Sequence, residues 1–524
     1  MQFPKNMLEL LKKQKEEVLF LVLLSIYVFL VWDKIFQDFW TDEIYTLKHF
    51  VFVPLVTTLN DYHVPNNHVL FSLLLNVYAK VVGLQHMTDA LLQPQTVRVI
   101  PLAFSVGTIF TVFKIGQLLS NKTSGVVSAS ILIFTLSFYE FGLQLRGYSL
   151  SIFLSTLITY LSLRYLITNS QYQPLLIGFL VTLLAYTIPS TYYFILAILA
   201  AVIIRYVVLA LLRVEPFDAG SLFKSKSCLL VVSILLGVVV SLICYLPIIK
   251  DVFYNQYVDP IGFDLGRTFH TFSTVISGFL SRRSVIIVLF LLATCLVFRT
   301  KSLIANNLNL AFLVILFCLP FIISAFRGDN PPPRTFINLS PVFAVIIGTL
   351  ITTQLFNSRI RFLLVLTFCL YGVLSFHYEQ SRLSGIVLSN LHKSHGPSRA
   401  QELNYAYYSY AYSPLKQIQE FLEKRTSGKT LVIGDAEPNG LEEYLKALNV
   451  DFEMTGLSIP DIDGRPWVGP SLGELVEIHW DGFFFVTRFP NRLFNDVVEH
   501  NLRVNIVPLS KNLTYHNFFY IEPL

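Results

Sequence analysis

Apolar residues in this chain come in long unbroken runs instead of the one-sided stripes of a soluble helix. Such runs fall at 18–36, 98–119, 124–141, 148–168, 173–190, 192–213, 228–249, 284–299, 308–326, 336–356 and 359–378. Crossing a hydrocarbon core takes roughly 17–25 apolar residues, so these predict eleven membrane helices. The stretch 67–84 is different. It carries His68, Asn76 and Lys80 at near-helical spacing, which predicts an amphipathic helix lying in the interface. After 379 the pattern changes again. "GKTLVIGDAEPNGLEEYLKALNV" predicts strand, turn and helix, and "GFFFVTRF" and "RVNIVPL" predict further strands. The expected fold class is therefore an α-helical polytopic membrane protein with a C-terminal extracytoplasmic α/β domain. The domains are 1–378, with its first outer loop at 37–97, and 379–524.

The number of spans decides which loops face which side. With eleven, Lys114/Lys122, Arg164, Arg205/Arg213/Lys224/Lys226, Arg299/Lys301 and Arg359/Arg361 share a side with Lys5, Lys12, Lys13 and Lys15. Basic loops are cytoplasmic. A twelfth span at 67–84 would place those clusters outside. The reading is thus a multi-pass protein of the plasma membrane, with a cytoplasmic N-terminus and the C-terminal domain outside. The run from Val18 to Trp32 outlasts a signal-peptide core, and no small-residue cleavage site follows it.

Composition sharpens the class. Of 524 residues, 54% are hydrophobic and 14% charged, whereas a soluble domain carries about a quarter charged. A soluble enzyme, a disordered chain and a nucleic-acid binder are excluded. The net charge of +5 is too small to imply a polyanion partner. Cys228, Cys244, Cys295, Cys318 and Cys369 all lie in apolar runs, so neither disulfides nor a thiolate metal site is expected. Asn121-Lys122-Thr123 matches a glycosylation acceptor but falls on the cytoplasmic side. Asn512-Leu513-Thr514 lies outside.

Ionisable groups beside the bilayer are the informative residues of such a chain. Asp42 and Glu43 are adjacent in "FWTDEIYTLKHF". They point about a hundred degrees apart on a helix, so one can meet a ligand while the other holds its surroundings; a solvated loop start would look the same. Asp61, His63, Pro65, Asn66, Asn67 and His68 crowd "NDYHVPNNHVLF". Helix capping accounts for part of that, but not for two histidines and an acid. Their spacing matches no strong metal-ligand signature. Arg98, Arg146 with Tyr148 in "QLRGYSL", and Arg334 in "NPPPRTFINLSP" stand at outer helix junctions. A guanidinium fork suits phosphate, and snorkelling to headgroups is the plain alternative. In "YTIPSTYYF", Tyr192 and Tyr193 suit interface anchoring.

In this order, these features resemble the GT-C superfamily of polyprenol-dependent glycosyltransferases, in particular bacterial relatives of protein O-mannosyltransferases and of the lipid A aminoarabinose transferase. The likeness covers about residues 1–380. It rests on the Asp-Glu pair after the first span, the Asp-x-His-x-Pro segment, the span opening with Arg98, the Arg-x-Tyr element and the Arg…Ser-Pro span. Where the family reads closer to His-Pro-Pro-Leu, this chain has "HVPNNHVL". The resemblance implies an inverting glycosyltransferase acting on the outer face of a bacterial membrane. It makes Asp42 the better match to the catalytic carboxylate, with Glu43 beside it. It puts Arg146 and Tyr148 near the donor phosphate, with Asp61, His63, Arg98 and Arg334 in the substrate-binding set. The implied partners are a polyprenyl-phosphate sugar donor, a lipid, glycan or protein acceptor, and membrane lipids. No nucleotide-binding loop is expected, and dependence on a divalent cation stays open.

The chemistry suits these residue types. A polyprenyl phosphate is already a good leaving group, so the reaction asks for a base on the acceptor hydroxyl and cations on the departing phosphate. A transporter or flippase of a lipid-linked or glycan substrate is the alternative, as is a scaffold on a degenerate transferase core. Transporters often show repeats and broken mid-membrane helices. No internal repeat is visible here, and the charges sit at helix ends.

Overall fold

The computed structural model describes residues 14–168, 173–211, 225–253, 262–279, 304–328, 331–352, 374, 430–433, 439–447, 453–456, 471–479, 481–487, 490–509 and 517–524. In chain order the helices up to the second long span are α1 (Lys15–Ile35), α2 (Thr41–Thr46), α3 (Leu55–Asn60), α4 (Val69–Val81), α5 (Met87–Leu92) and α6 (Gln95–Leu119). Then come α7 (Lys122–Ile133), α8 (Leu136–Phe141), α9 (Tyr148–Ile167), α10 (Gln173–Thr187), α11 (Tyr192–Leu211) and α12 (Lys226–Tyr245). The series continues with α13 (Ile249–Phe253), α14 (Leu265–Phe279), α15 (Ile304–Arg327) and α16 (Ser340–Thr352). The tail holds β1 (Leu431–Ile433), α17 (Asn439–Ala447), β2 (Met454–Gly456), α18 (Leu472–Ile478), β3 (Phe483–Thr487), α19 (Pro490–Glu499), β4 (Val504–Pro508) and β5 (Asn517–Pro523).

Among the described residues, seven helical stretches are long and apolar enough to cross a bilayer: Lys15–Ile35, Gln95–Leu119, Tyr148–Ile167, Pro189–Leu211, Lys226–Val252, Leu308–Arg327 and Pro333–Thr352. The chain is a multi-pass membrane protein. The expected spans at 284–299 and, residue 374 apart, 359–378 lie outside the described residues, so the full count of eleven is not established. Two others are shorter than expected. Gln173–Thr187 has 15 residues. The run 124–141 is two helices, because Phe134 leaves helical geometry and Thr135 is extended (φ −78°, ψ 116°). The Thr135 hydroxyl turns back to the Ile131 carbonyl at 2.8 Å, the local competition by which Thr bends or ends helices. With only 13 residues, α4 is too short to span at about 1.5 Å per residue.

The molecule divides into two compact units. The first comprises Met1–Trp32, Val53–Tyr78 and Arg98–Glu379, and the second Asp33–Phe52, Ala79–Val97 and Gln380–Leu524.

In the first unit, helices meet where small residues let backbones approach, as membrane helices do. A Cβ on Gly178 of α10 would stand 2.6 Å from the Ser233 carbonyl oxygen of α12. At the same crossing, the Thr182 hydroxyl donates to the Gly237 carbonyl at 3.0 Å. Helices α7 and α16 pack along each other, as do α11 and α15. Asn121, the first of the two glycosylation-like asparagines, caps α7 by accepting the Ser124 N–H at 2.9 Å.

In the second unit a five-stranded sheet has the order β2-β1-β3-β5-β4. Strand β1 runs parallel to β2 and β3, whereas β5 is antiparallel to both β3 and β4. Phe483 pairs with Ile521 and Phe485 with Phe519, and all four side chains enter a core with Val432, Leu472, Leu475 and Leu493. The predicted strand–turn–helix is β1 and α17, and the other two predicted strands are β3 and β4. The turn "GDAEPNG" lies mostly outside the described residues, as do Tyr254 and Tyr257 of the 250–282 loop and the Tyr-rich "NYAYYSYAYSP".

Candidate functional site

In the first unit three pieces outside the α-helices converge on His68: the loop 61–68, the connection 142–147 and the 3-10 turn that opens with Pro333. The loop is pinned from inside. Asn67 is wholly buried, and its amide donates to the carbonyls of Thr58 (2.9 Å) and Asp61 (2.8 Å). Asn76 donates to the Val53 carbonyl at 2.9 Å and to the Thr58 hydroxyl at 3.1 Å. Tyr62 and Val69, at either end of the loop, pack with Tyr245 and Ile248 at the end of α12.

The connection 142–147 has no helix to satisfy its backbone, so its polar groups need other partners. Gly142 accepts from the Ser105 hydroxyl at 2.7 Å. The Gly147 N–H donates to His68 Nδ1 at 2.7 Å. Glycine is required at 147, where a Cβ would stand 2.8 Å from the His68 Cβ and 2.9 Å from the Thr187 Cγ2. Tyr148 begins α9 and meets the edge of His68 at 5.1 Å between ring centres. The Arg146 guanidinium lies over the Tyr148 ring at 5.1 Å, a cation–π contact that fixes its plane. Arg334 is carried by the 3-10 turn Pro333–Leu339, which packs along α9. Proline at its start fixes φ where no N–H is needed.

His68 is the electrostatic centre of this group. Burial, and then the Arg146 and Arg334 guanidiniums, push its pKa well below the usual imidazole value. The neutral ring accepts at Nδ1, so its proton is on Nε2. The arrangement therefore has two fixed cations and a neutral N–H donor, the chemistry of a phosphate or other oxyanion cradle.

Gln144, two residues before Arg146, is 1% exposed, and neither of its amide atoms has a hydrogen-bond partner among the described residues. Arg98 is buried in the first turns of α6. Asp61 and His63 are paired with each other, the carboxylate meeting His63 Nδ1, at an exposed position.

In the second unit Asp42 and Glu43 open α2. Glu43 is buried, and its Oε2 accepts the Trp40 N–H at 2.9 Å. It thus holds the start of its own helix, while Asp42 is half-buried. Among the described residues no three His, Cys, Asp or Glu side chains are grouped as a metal ion needs.

Of the residues expected from sequence, the structure joins Arg146, Tyr148 and Arg334 around His68. That histidine entered the sequence reading only as a member of its cluster, and its neighbour His63 was preferred. The signal available was its place directly before α4. Gln144 was not singled out; it is the first residue of the "QLRGYSL" already noted for Arg146.

Fold and geometry together describe a polytopic membrane protein with a buried group of cations around His68 and a five-stranded C-terminal sheet. No family model matches the chain, nor does any curated protein by sequence. Among solved structures, ArnT from Cupriavidus metallidurans bound to undecaprenyl phosphate is 10% identical. The match covers 97% of this chain and 98% of that one, at a TM-score of 0.50. The apo state of the same protein gives 10% identity over 95% and 97%, with a TM-score of 0.49. The oligosaccharyltransferase of Archaeoglobus fulgidus gives 12% identity over 84% and 64%, with a TM-score of 0.43. The chain shares the fold of the undecaprenyl-phosphate-bound ArnT over nearly its whole length.

Proposed function

We propose that the protein is an inverting glycosyltransferase that moves a sugar from a polyprenyl-phosphate donor to an acceptor hydroxyl on the outer face of a bacterial membrane. The observation that carries this reading is the pair Arg146 and Arg334 beside neutral His68, with Tyr148 against Arg146 and His68. ArnT, whose fold the chain shares, is bound to undecaprenyl phosphate in its crystal structure, and the same class of lipid suits this group. Charges at helix ends, near the membrane surface, favour this reading over a transporter.

Asp42 takes the proton from the acceptor oxygen, which attacks the anomeric carbon opposite the phosphate. The bond from that carbon to the phosphate oxygen breaks, and the polyprenyl phosphate leaves with the electron pair. Arg146, Arg334 and the His68 Nε2–H carry the charge that develops on it. Glu43 keeps α2 in place through Trp40. Asp61, His63 and Arg98 belong to the surrounding substrate-binding set. The N-terminus is cytoplasmic, and the tail from 379 lies on the side where the sugar is transferred. The acceptor is a lipid, glycan or protein.

Binding of a short-chain polyprenyl phosphate to the purified protein tests this reading. Charge-assisted hydrogen bonds are worth about 1.5–3 kcal/mol. Arg146→Gln and Arg334→Gln should therefore each weaken binding about tenfold or more, and raised salt should not mimic the loss. Unchanged affinity in both variants would contradict it.

A further inference from the structure

We infer that helix α17 of the tail is a positioning element for the acid-bearing helix α2, and that Tyr444 and Glu443 hold Asp42 in place. The inference rests on the glycosyltransferase reading, in which Asp42 is the base, and it gives the C-terminal domain a part in the reaction. Residues 37–40, between α1 and α2, are not helical, so their amides need partners. The Trp40 N–H is taken by Glu43 within α2's own first turn. The Phe39 N–H is taken by the tail, donating to the Tyr444 hydroxyl oxygen at 2.9 Å. Tyr444 is 1% exposed and Phe39 is wholly buried, so water cannot replace that bond.

The far side of α2 is anchored as well. Lys48 Nζ lies 2.7 Å from Glu443 Oε1. The Glu443 side chain is only 10% exposed, and a buried carboxylate needs such a partner. Asp42 lies between the two anchors, three residues after Phe39 and six before Lys48. Tyr444 and Glu443 are neighbours on α17, which packs against α2 and α5. One rigid helix thus grips the segment that presents Asp42 from both ends. Displacing a reacting group by about 1 Å can cost as much as a hundredfold in rate, so this grip bears on turnover more than on donor affinity.

The experiment uses the full-length protein in nanodiscs, with sugar transfer and hydrogen exchange by mass spectrometry as its two readouts. Tyr444→Phe should lower kcat about tenfold while KM for the polyprenyl-phosphate sugar stays near the wild-type value. The peptide spanning 37–47 should exchange faster in that variant, with β3 still protected. Lys48→Glu and Glu443→Lys should each lower kcat, and the double variant should recover most of the loss; a merely structural role would not produce that rescue. Wild-type kcat in Tyr444→Phe, unchanged exchange over 37–47, or a double variant no better than the singles would each overturn the inference. No transfer by the wild-type protein with any donor would overturn the glycosyltransferase reading and the link to turnover, and the exchange data would then decide the docking of α17 alone.

Discussion

His68 shows what one residue's surroundings do to its chemistry. Its Nδ1 is committed to the Gly147 N–H, and burial with two neighbouring guanidiniums keeps the ring neutral. The folded protein therefore binds fewer protons at this residue than the unfolded chain, whose histidine titrates near 6.5. Stability from this group is complete above about 6.5 and is lost as the pH falls from there toward the depressed folded value. His68→Asn keeps an acceptor near the Nδ1 position and removes both the Nε2–H and the titration. The melting temperature of the wild type should fall more steeply than that of His68→Asn between about pH 6.5 and 4.5, and parallel slopes would contradict the assignment. The same variant should bind the lipid phosphate less tightly at pH 7.5. The sequence made Arg146, Tyr148 and Arg334 legible because charged residues at membrane helix ends are few. It could not rank His63 against His68, because which of two nearby imidazoles is enclosed depends on Gly147, 79 residues away.

At the scale of elements, hydropathy located the long helices because the lipid imposes one requirement on all of them. What it could not locate were the breaks. Thr135 ends α7 through a hydroxyl that is invisible in an average over twenty apolar residues. Close helix crossings were equally hidden, since Gly178 and Gly237 look like any other small residues in an apolar run. Gly178→Leu should force α10 away from the Ser233 carbonyl and cost about 1–3 kcal/mol, read as a lower thermal midpoint in detergent, whereas Ser273→Ala at an exposed position of α14 should not move it. An unchanged midpoint would show that the crossing is looser than the structure has it. In the tail, β1, β3 and β4 were legible as short apolar runs between turn residues. The last strand, β5, was not, although "NFFYIEP" is rich in strand formers. Its place between β3 and β4 is settled only by pairing with both.

At the scale of the molecule, sequence order suggested one cut near residue 378. The second compact unit instead gathers Asp33–Phe52 and Ala79–Val97 with the tail, through contacts such as Phe39 with Tyr444 and Lys48 with Glu443. Those partners are 405 and 395 residues apart in the chain, and no local pattern encodes such a pairing. The proposed functional class draws on the opposite kind of signal. A polyprenyl-phosphate transferase needs a base in an outer loop and cations at helix ends, and those groups are conspicuous in a chain with so few charges. The most direct test of the account is sugar transfer by the purified protein from a panel of polyprenyl-phosphate sugars, with membrane extract as acceptor, for wild type and Asp42→Asn. The account predicts transfer by the wild type and a loss of about a hundredfold or more in the variant, the usual worth of a general base. A folded Asp42→Asn protein that transfers sugar at the wild-type rate would contradict it.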